Sequence, residues 1–298
     1  MQPTGEEWII ETPRHYVRFR PGGEILNVTF DHLEMTQGAD KKPEPWGWDF
    51  AIKNNWSILG IVSKSHIWFR EERLHQVFLD LMNSGFFKAF KRVVFAGGSK
   101  GGYGALAFSS VAPGSTVIAI NPQSSLDSKL VPWETRYPIG DWKGLFRDGA
   151  EEIRNAGKVF VFYDPFCEPD RLHAERIVGG NVSYLRCRYL DHGIATCFLK
   201  MNILKPVMAG LTNGTLSEQQ FWVLYRNRRK ALRYARNLLD AVISRHRVGL
   251  AERVCRSMQQ DVDHRFFKLR LALIEAAQGN AQALERGHRM LKEVDVWP

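Results

Sequence analysis

The most constraining stretch of the chain is Arg92-Val93-Val94-Phe95-Ala96-Gly97-Gly98-Ser99-Lys100-Gly101-Gly102-Tyr103-Gly104-Ala105-Leu106. An apolar, β-branched run leads into a glycine-rich turn, and a helix of small residues leaves it. The turn reads G-x-S-x-G, with glycines two residues before and two after Ser99. That spacing suits a tight strand-to-helix turn that lifts a serine hydroxyl above a sheet edge, because glycine lets neighbouring backbone approach where a Cβ would collide. The helix that follows points its N-terminus at the same place and favours negative charge developing there. A phosphate-binding reading fits less well. The order G-x-x-x-x-G-K-[S/T] is absent, and the turn follows about the fifth strand rather than the first, as a dinucleotide fingerprint requires.

The rest of the first 212 residues shows the alternation such a turn needs. Strand texture appears at Tyr16 to Phe19, Ile25 to Phe30, Trp56 to Val62, Arg92 to Ala96, Thr116 to Ile120, Lys158 to Tyr163 and Val182 to Leu190, and Trp8 to Glu11 forms an edge hairpin with the Tyr16 strand. Several runs are apolar throughout, as strands covered on both faces are. Helical spacing lies between them at Glu72 to Phe90, Tyr103 to Val111, Trp142 to Ala156 and Asp170 to Val178. This alternation predicts an α/β fold with a mostly parallel sheet. After Gly210 the texture changes. A loop over 211–217 precedes one long amphipathic helix carrying Phe221 to Val242, and shorter helices follow near 248–259, 263–278 and 280–293. The predicted division is 1–212 for an α/β domain and 213–298 for an all-helical extension. Its paired short helices suit a single tetratricopeptide-like unit, with no second copy to set a period.

A serine nucleophile needs a base, and the base needs an orienting acid. Asp191-His192-Gly193 follows the last strand, where a loop histidine can swing over the sheet edge, so His192 is the predicted base. His32, His66 and His75 precede the serine, His246, His264 and His288 belong to the tail, and His173 falls on a predicted helix. For the acid, Asp164 directly follows the Lys158 to Tyr163 strand and is preferred. Asp170 is the alternative, with helix capping as its competing role. Asp191 adjoins His192, where neighbouring side chains diverge.

These three elements, the elbow at Ser99, the Asp164-Pro165-Phe166-Cys167 turn and Asp191-His192-Gly193, resemble the α/β-hydrolase superfamily over about residues 8 to 212. A looser likeness is to bacterial hydrolase-like proteins associated with surface-glycan handling and accessory secretion. The superfamily resemblance implies an eight-stranded, mostly parallel sheet flanked by helices and an acyl-enzyme mechanism, and no cofactor or metal is expected. It implies an oxyanion hole made by the backbone N–H of Lys100 and a second N–H from the loop after the third strand, here Phe30-Asp31-His32-Leu33, which lacks the HGGG signature of many esterases. Pro122 to Gly157, with Trp133, Tyr137, Trp142, Leu145 and Phe146, is the place for a small lid or rim whose aromatics either meet an apolar or sugar group or simply pack.

The expected activity is hydrolysis of a small-molecule or glycan carboxylic ester. The competing readings are an acyltransferase or deacetylase acting on a glycan or alcohol, and a non-catalytic scaffold with a partner-binding tail. Residues 217–298 hold 16 Lys or Arg against 9 Asp or Glu, most of the net charge of +9. That excess suits either an acidic protein partner or a solvated face, and nucleic acid is not expected. No apolar run reaches the roughly 18 residues of a membrane span. The polar start at Met1 to Glu7 does not read as a secretory signal, and Cys167, Cys187, Cys197 and Cys255 form no CxxC pair, so a cytoplasmic protein with free thiols is expected.

Overall fold

A computed structural model of the chain describes residues 4–31, 44–64, 67–137, 142–261, 265–280 and 282–283. Chain order gives β1 (Trp8–Glu11), β2 (His15–Arg20), β3 (Gly23–Phe30), α1 (Trp48–Lys53), β4 (Trp56–Ser63), α2 (Glu72–Asn83), β5 (Arg92–Gly98), α3 (Lys100–Ala107) and β6 (Thr116–Ile120). Then follow α4 (Gly149–Glu152), β7 (Lys158–Tyr163), α5 (Glu168–Arg176), β8 (Val182–Arg186), α6 (Ile194–Lys200) and α7 (Leu204–Asn213). Among the described residues the strands form one eight-stranded sheet in the order β1-β2-β4-β3-β5-β6-β7-β8. β1 and β2 pair antiparallel, β2 meets β4 antiparallel, and every other neighbour is parallel. The strand order reverses at β3, which lies between β4 and β5, and the carboxyl ends beside such a reversal are where open α/β sheets build their sites.

Burial follows strand composition. All eight residues of β4 are buried, as are the inner five of β5, whereas β2 alternates between buried and half-buried positions. The central strands are therefore covered on both faces. On one face an aromatic layer joins the sheet to α2 and α3. Phe30 stacks on Phe78 with an interplanar angle of 14°, Phe78 lies 4.4 Å from Phe108, and Phe108 lies 4.4 Å from Phe146, centroid to centroid. Truncating a fully buried ring such as Phe78 costs about 3–5 kcal/mol.

Several elements differ from their sequence-based bounds. The run expected as one helix from Glu72 to Phe90 breaks after Asn83, where Gly85 adopts φ +77° before a 3-10 turn at Phe86–Ala89. Trp142 to Ala156 condenses to α4 and one 3-10 turn, started by the Asp148 carboxylate accepting from the Ala150 N–H at 3.1 Å. β8 stops at Arg186 rather than Leu190: the Cys187 N–H still bonds β7 at the Tyr163 carbonyl, 2.7 Å away, but the chain then turns through positive φ at Tyr189 and Asp191. The loop expected over 211–217 begins later, since α7 runs to Asn213 and Gly214 closes it at φ +71°.

Two compact units divide between Phe221 and Trp222. This lies beyond the 212/213 boundary read from the sequence, because Phe221 is buried against Phe162 and Phe198 at 5.4 and 6.0 Å. The expected long helix is two, α8 (Glu218–Tyr225) and α9 (Leu232–Ile243), separated by a 3-10 stretch at Arg226–Lys230 and extended backbone at Ala231. In the second unit α9, α10 (Val248–Asp261) and α11 (Arg265–Ala277) bury Ala235, Leu239, Val242, Ala251, Cys255, Met258, Phe267 and Leu271 together. Arg226, Arg229, Lys230, Arg245 and Arg247 face outward. The sequence-predicted helix over 280–293 lies almost wholly outside the described residues. Among the described residues no single helix is long and apolar enough to cross a membrane.

The elbow depends on backbone contact between β3 and α3. A Cβ on Gly101 would lie 2.5 Å from the Phe30 carbonyl oxygen and 2.9 Å from that of Asp31. Gly101→Val should therefore destabilise the protein by more than about 3 kcal/mol, through clashes with backbone that cannot rotate away. Thermal unfolding checks this, and a wild-type Tm would contradict the packing described.

Candidate active site

Ser99 occupies the turn between β5 and α3 with φ 52° and ψ −121°, a conformation that costs a non-glycine residue about 1–3 kcal/mol. The surrounding bonds fix it. The Ser99 N–H donates to the Ile120 carbonyl at 2.8 Å, and the Ser99 carbonyl accepts from the Tyr103 N–H at 3.1 Å. A Cβ on Gly97 would strike the Gly101 carbonyl, so the G-x-S-x-G spacing is a packing requirement at both glycines.

Ser99 Oγ lies 2.9 Å from His192 Nε2, and His192 Nδ1 lies 2.9 and 2.8 Å from the two carboxylate oxygens of Asp170. A carboxylate only accepts, so Nδ1 carries the ring proton and Nε2 presents its lone pair to the Ser99 hydroxyl. Ser99 and His192 are half-buried, while the Asp170 side chain is 1% exposed. Burial pushes the Asp170 carboxyl up, but the hydrogen bond and charge of His192, then those of Arg136, outweigh it and hold the group below its ordinary value.

Of the two carboxylates offered by the sequence, the alternative, Asp170, is the one beside the ring. Asp164 does not meet the imidazole. One oxygen accepts from the Asp191 N–H at 2.7 Å, the other from the Phe166 N–H at 3.0 Å, and the Tyr189 and Leu190 amides also bond to it. Sitting directly after β7, it meets the backbone of the turn that carries His192 rather than its ring. Asp170 is in the first turn of α5, turned inward instead of capping the helix.

The oxyanion candidates lie at the start of α3 and around the end of β3. Lys100 opens α3, so its backbone N–H belongs to the first turn, whose amides lack intrahelical acceptors. The Asp31 N–H is committed to the Ile61 carbonyl at 3.1 Å, and Phe30 ends β3 with its ring in the aromatic core and its carbonyl against Gly101. The Asp31 amide is thus already bonded within the sheet, and His32 and Leu33 lie outside the described residues.

Other polar groups at the site carried no sequence signal. Asn121, at φ 47° just after β6, donates to Asp170 Oδ2 at 2.8 Å and accepts from the Ile194 N–H at 3.3 Å. Arg136 donates to Asp170 Oδ1 at 2.9 Å and to Glu134 Oε2 at 2.6 Å. Glu134 also meets His173 Nε2 at 3.0 Å, and His173 Nδ1 accepts from the Ser124 N–H at 3.1 Å. These residues come from two segments with no fixed sequence spacing, so only the folded chain brings them together. In the rim, Trp68, Tyr103 and Trp142 pack on one another and are almost fully buried, whereas Tyr137 is half-buried with its hydroxyl 3.5 Å from His192 Nε2.

The Lys100 side chain turns away from the site. It is fully buried, 3.3 Å from Asp31 Oδ1 and 2.9 Å from Ser63 Oγ, above the Phe69 ring. Asp31 also accepts from the Ser63 N–H at 3.1 Å. Burial lowers the lysine and raises the aspartate, each opposed by the partner's charge. A separate cavity of about 170 Å³, lined by Thr29, Trp46, Phe50, Met208 and Thr212 among others, touches none of Ser99, His192 or Asp170. Among the described residues no three His, Cys, Asp or Glu side chains are grouped to hold a metal ion.

No protein-family model and no curated protein matches the chain. Solved structures similar to it include the capsule O-acetyltransferase of Neisseria meningitidis serogroup A, with TM-score 0.46 and 11% identity over 69% of this chain and 94% of that one. Est1E from Butyrivibrio proteoclasticus gives TM-score 0.45 and 10% identity over 69% and 98%. Brefeldin A esterase, a bacterial homologue of human hormone-sensitive lipase, gives 0.44 and 14% over 75% and 77%. The strand order, the antiparallel β2 and the positive-φ serine after β5 make the fold α/β-hydrolase-like.

Two predictions follow from the charges. Lys100→Met leaves Asp31 buried without its cation and should cost about 3–5 kcal/mol. The double variant Lys100→Met/Asp31→Asn should cost less than the sum of the single changes by at least about 1 kcal/mol, read from denaturant midpoints, and strict additivity would show the pair uncoupled. Asp170, held below its ordinary value, stabilises the fold above the unfolded carboxylate pKa of about 3.9 and loses that contribution as pH falls through the lower folded value. The stability gap between wild type and Asp170→Asn should therefore narrow below about pH 4, and a gap that widens there would reverse the sign assigned.

Proposed function

We propose that the chain is a serine hydrolase that cleaves a carboxylic ester through an acyl-enzyme. The observation that carries this reading is the continuous hydrogen-bond line from Ser99 Oγ through His192 to the buried Asp170 carboxylate, at 2.9 and 2.8 Å. In acylation, His192 Nε2 takes the Ser99 proton as Oγ attacks the ester carbonyl. Asp170 keeps the ring in the required tautomer and stabilises the imidazolium without taking its proton. The Lys100 N–H and the start of α3 face the oxygen that gains charge. The imidazolium then protonates the leaving alcohol oxygen as the C–O bond breaks. Water, its proton taken by the same nitrogen, releases the acid and restores Ser99. An alcohol or sugar hydroxyl in place of water would make the second half an acyl transfer, with identical proton movements.

The test is labelling by a fluorophosphonate probe together with ester turnover. Wild type should label and turn over, and Ser99→Ala should do neither while remaining folded. Turnover retained in that variant would overturn the reading. Asp170→Asn should reduce kcat by on the order of 10³–10⁴, since the amide favours the wrong imidazole tautomer. Asp164→Asn should cost much less, because it perturbs the turn and not the ring. Product analysis with and without an alcohol acceptor separates hydrolysis from acyl transfer.

A further inference from the structure

Two hydroxyls address one imidazole nitrogen. Ser99 Oγ lies 2.9 Å from His192 Nε2, and the Tyr137 hydroxyl lies 3.5 Å from the same atom. Tyr137 and Ser99 thus stand beside the same nitrogen. At 3.5 Å the tyrosine does not compete for the Nε2 lone pair, which goes to the closer serine. It stands beside the reacting pair with a proton to donate.

Its placement is held from two sides. The ring packs edge-on against the nearly buried Trp68, with centroids 5.0 Å apart. The preceding residue, Arg136, bonds Asp170 Oδ1 at 2.9 Å and Glu134 Oε2 at 2.6 Å. The segment bearing the phenol is thus fastened to the same carboxylate that orients His192, so hydroxyl and imidazole keep a common frame. Burial raises the Tyr137 hydroxyl above its ordinary value, which keeps it a proton donor.

Protonation of the leaving group requires its oxygen to come within about 2.6–3.2 Å of Nε2. The Tyr137 hydroxyl, 3.5 Å from that nitrogen, borders the same space. We propose that Tyr137 is a further catalytic residue that donates a hydrogen bond to the leaving alcohol oxygen while His192 protonates it. This rests on the serine-hydrolase reading and deepens it. As the C–O bond of the tetrahedral intermediate breaks, its electron pair stays on the alcohol oxygen and the proton on Nε2 moves to that oxygen. Tyr137 keeps its own proton and only stabilises the developing charge. The role implies a substrate class, namely esters of ordinary alcohols such as alkyl or sugar hydroxyls. Their leaving oxygen is strongly basic and needs such help, whereas a nitrophenolate leaves without it.

The experiment compares Tyr137→Phe with wild type on two esters sharing one acyl group, an alkyl acetate and 4-nitrophenyl acetate. It reads kcat/KM, which reports acylation regardless of how slowly the acyl-enzyme is hydrolysed. The expected result is a fall of about 10- to 100-fold on the alkyl ester and less than about threefold on the nitrophenyl ester, with fluorophosphonate labelling of Ser99 retained. Equal losses on both esters would overturn the proposal, because a structural role or a hydrogen bond to the oxyanion affects both alike. No loss on the alkyl ester would also overturn it. Absence of labelling and turnover in the wild-type protein would instead overturn the serine-hydrolase reading, so the two failures are distinguishable.

Discussion

The backbone at Ser99 is the constraint on which the site depends. A serine at φ 52° and ψ −121° is unfavourable by itself, and three neighbours hold it there. β6 accepts the Ser99 amide, the first turn of α3 bonds the Ser99 carbonyl, and β3 presses its terminal carbonyls onto Gly101. Each contact needs the parallel order β3-β5-β6, so sheet topology and hydroxyl position are one problem. The apolar runs of β4, β5 and β6 supply the burial that offsets the local strain.

Electrostatic order follows from how fully Asp170 is partnered. Its two oxygens meet His192, Asn121 and Arg136, leaving little acceptor capacity unused in a nearly water-free position. A buried carboxylate so surrounded remains ionised, and an ionised partner is what an imidazole needs in order to accept a serine proton. The second row, Glu134 and His173, extends the same logic by fixing Arg136 from its far side. Within this network a substitution at one member leaves another buried group unpaired, and its effects will not add with its neighbours'.

The strands and the elbow were legible because they obey local rules: period and burial for β2 to β7, glycine spacing for the turn at Ser99. The placement of His192 beside Ser99 was legible from chain order, since it follows the last strand. The acid was not. Closeness to the end of β7 favoured Asp164, but a side chain one residue past a strand points where the strand's own direction sends it, here to the amides at 189–191. Asp170 reaches the ring because α5 carries its first turn back over the sheet edge, a path set by packing. Asn121, Glu134, Arg136 and Tyr137 lie on connections whose course is likewise decided by tertiary contacts. The break between α8 and α9 escaped notice for a different reason, since Arg226 to Lys230 continues good helix-forming composition.

Two carboxylates divide work that a sequence reading assigns to one. Asp164 is raised by burial and bonded to successive backbone amides, so it fixes where the 189–191 turn sits. Asp170 is lowered by His192 and Arg136, so it fixes how the ring is oriented and which nitrogen faces Ser99. A carboxylate surrounded by N–H groups of the main chain positions backbone, and one surrounded by side-chain cations positions charge. The first role tolerates a neutral acceptor such as Asn better than the second, because a backbone amide asks only for a lone pair, whereas an imidazolium asks for a counter-charge. Closeness to the end of a strand is therefore a poor guide to which carboxylate meets the imidazole. The informative difference is which kind of donor surrounds each carboxylate.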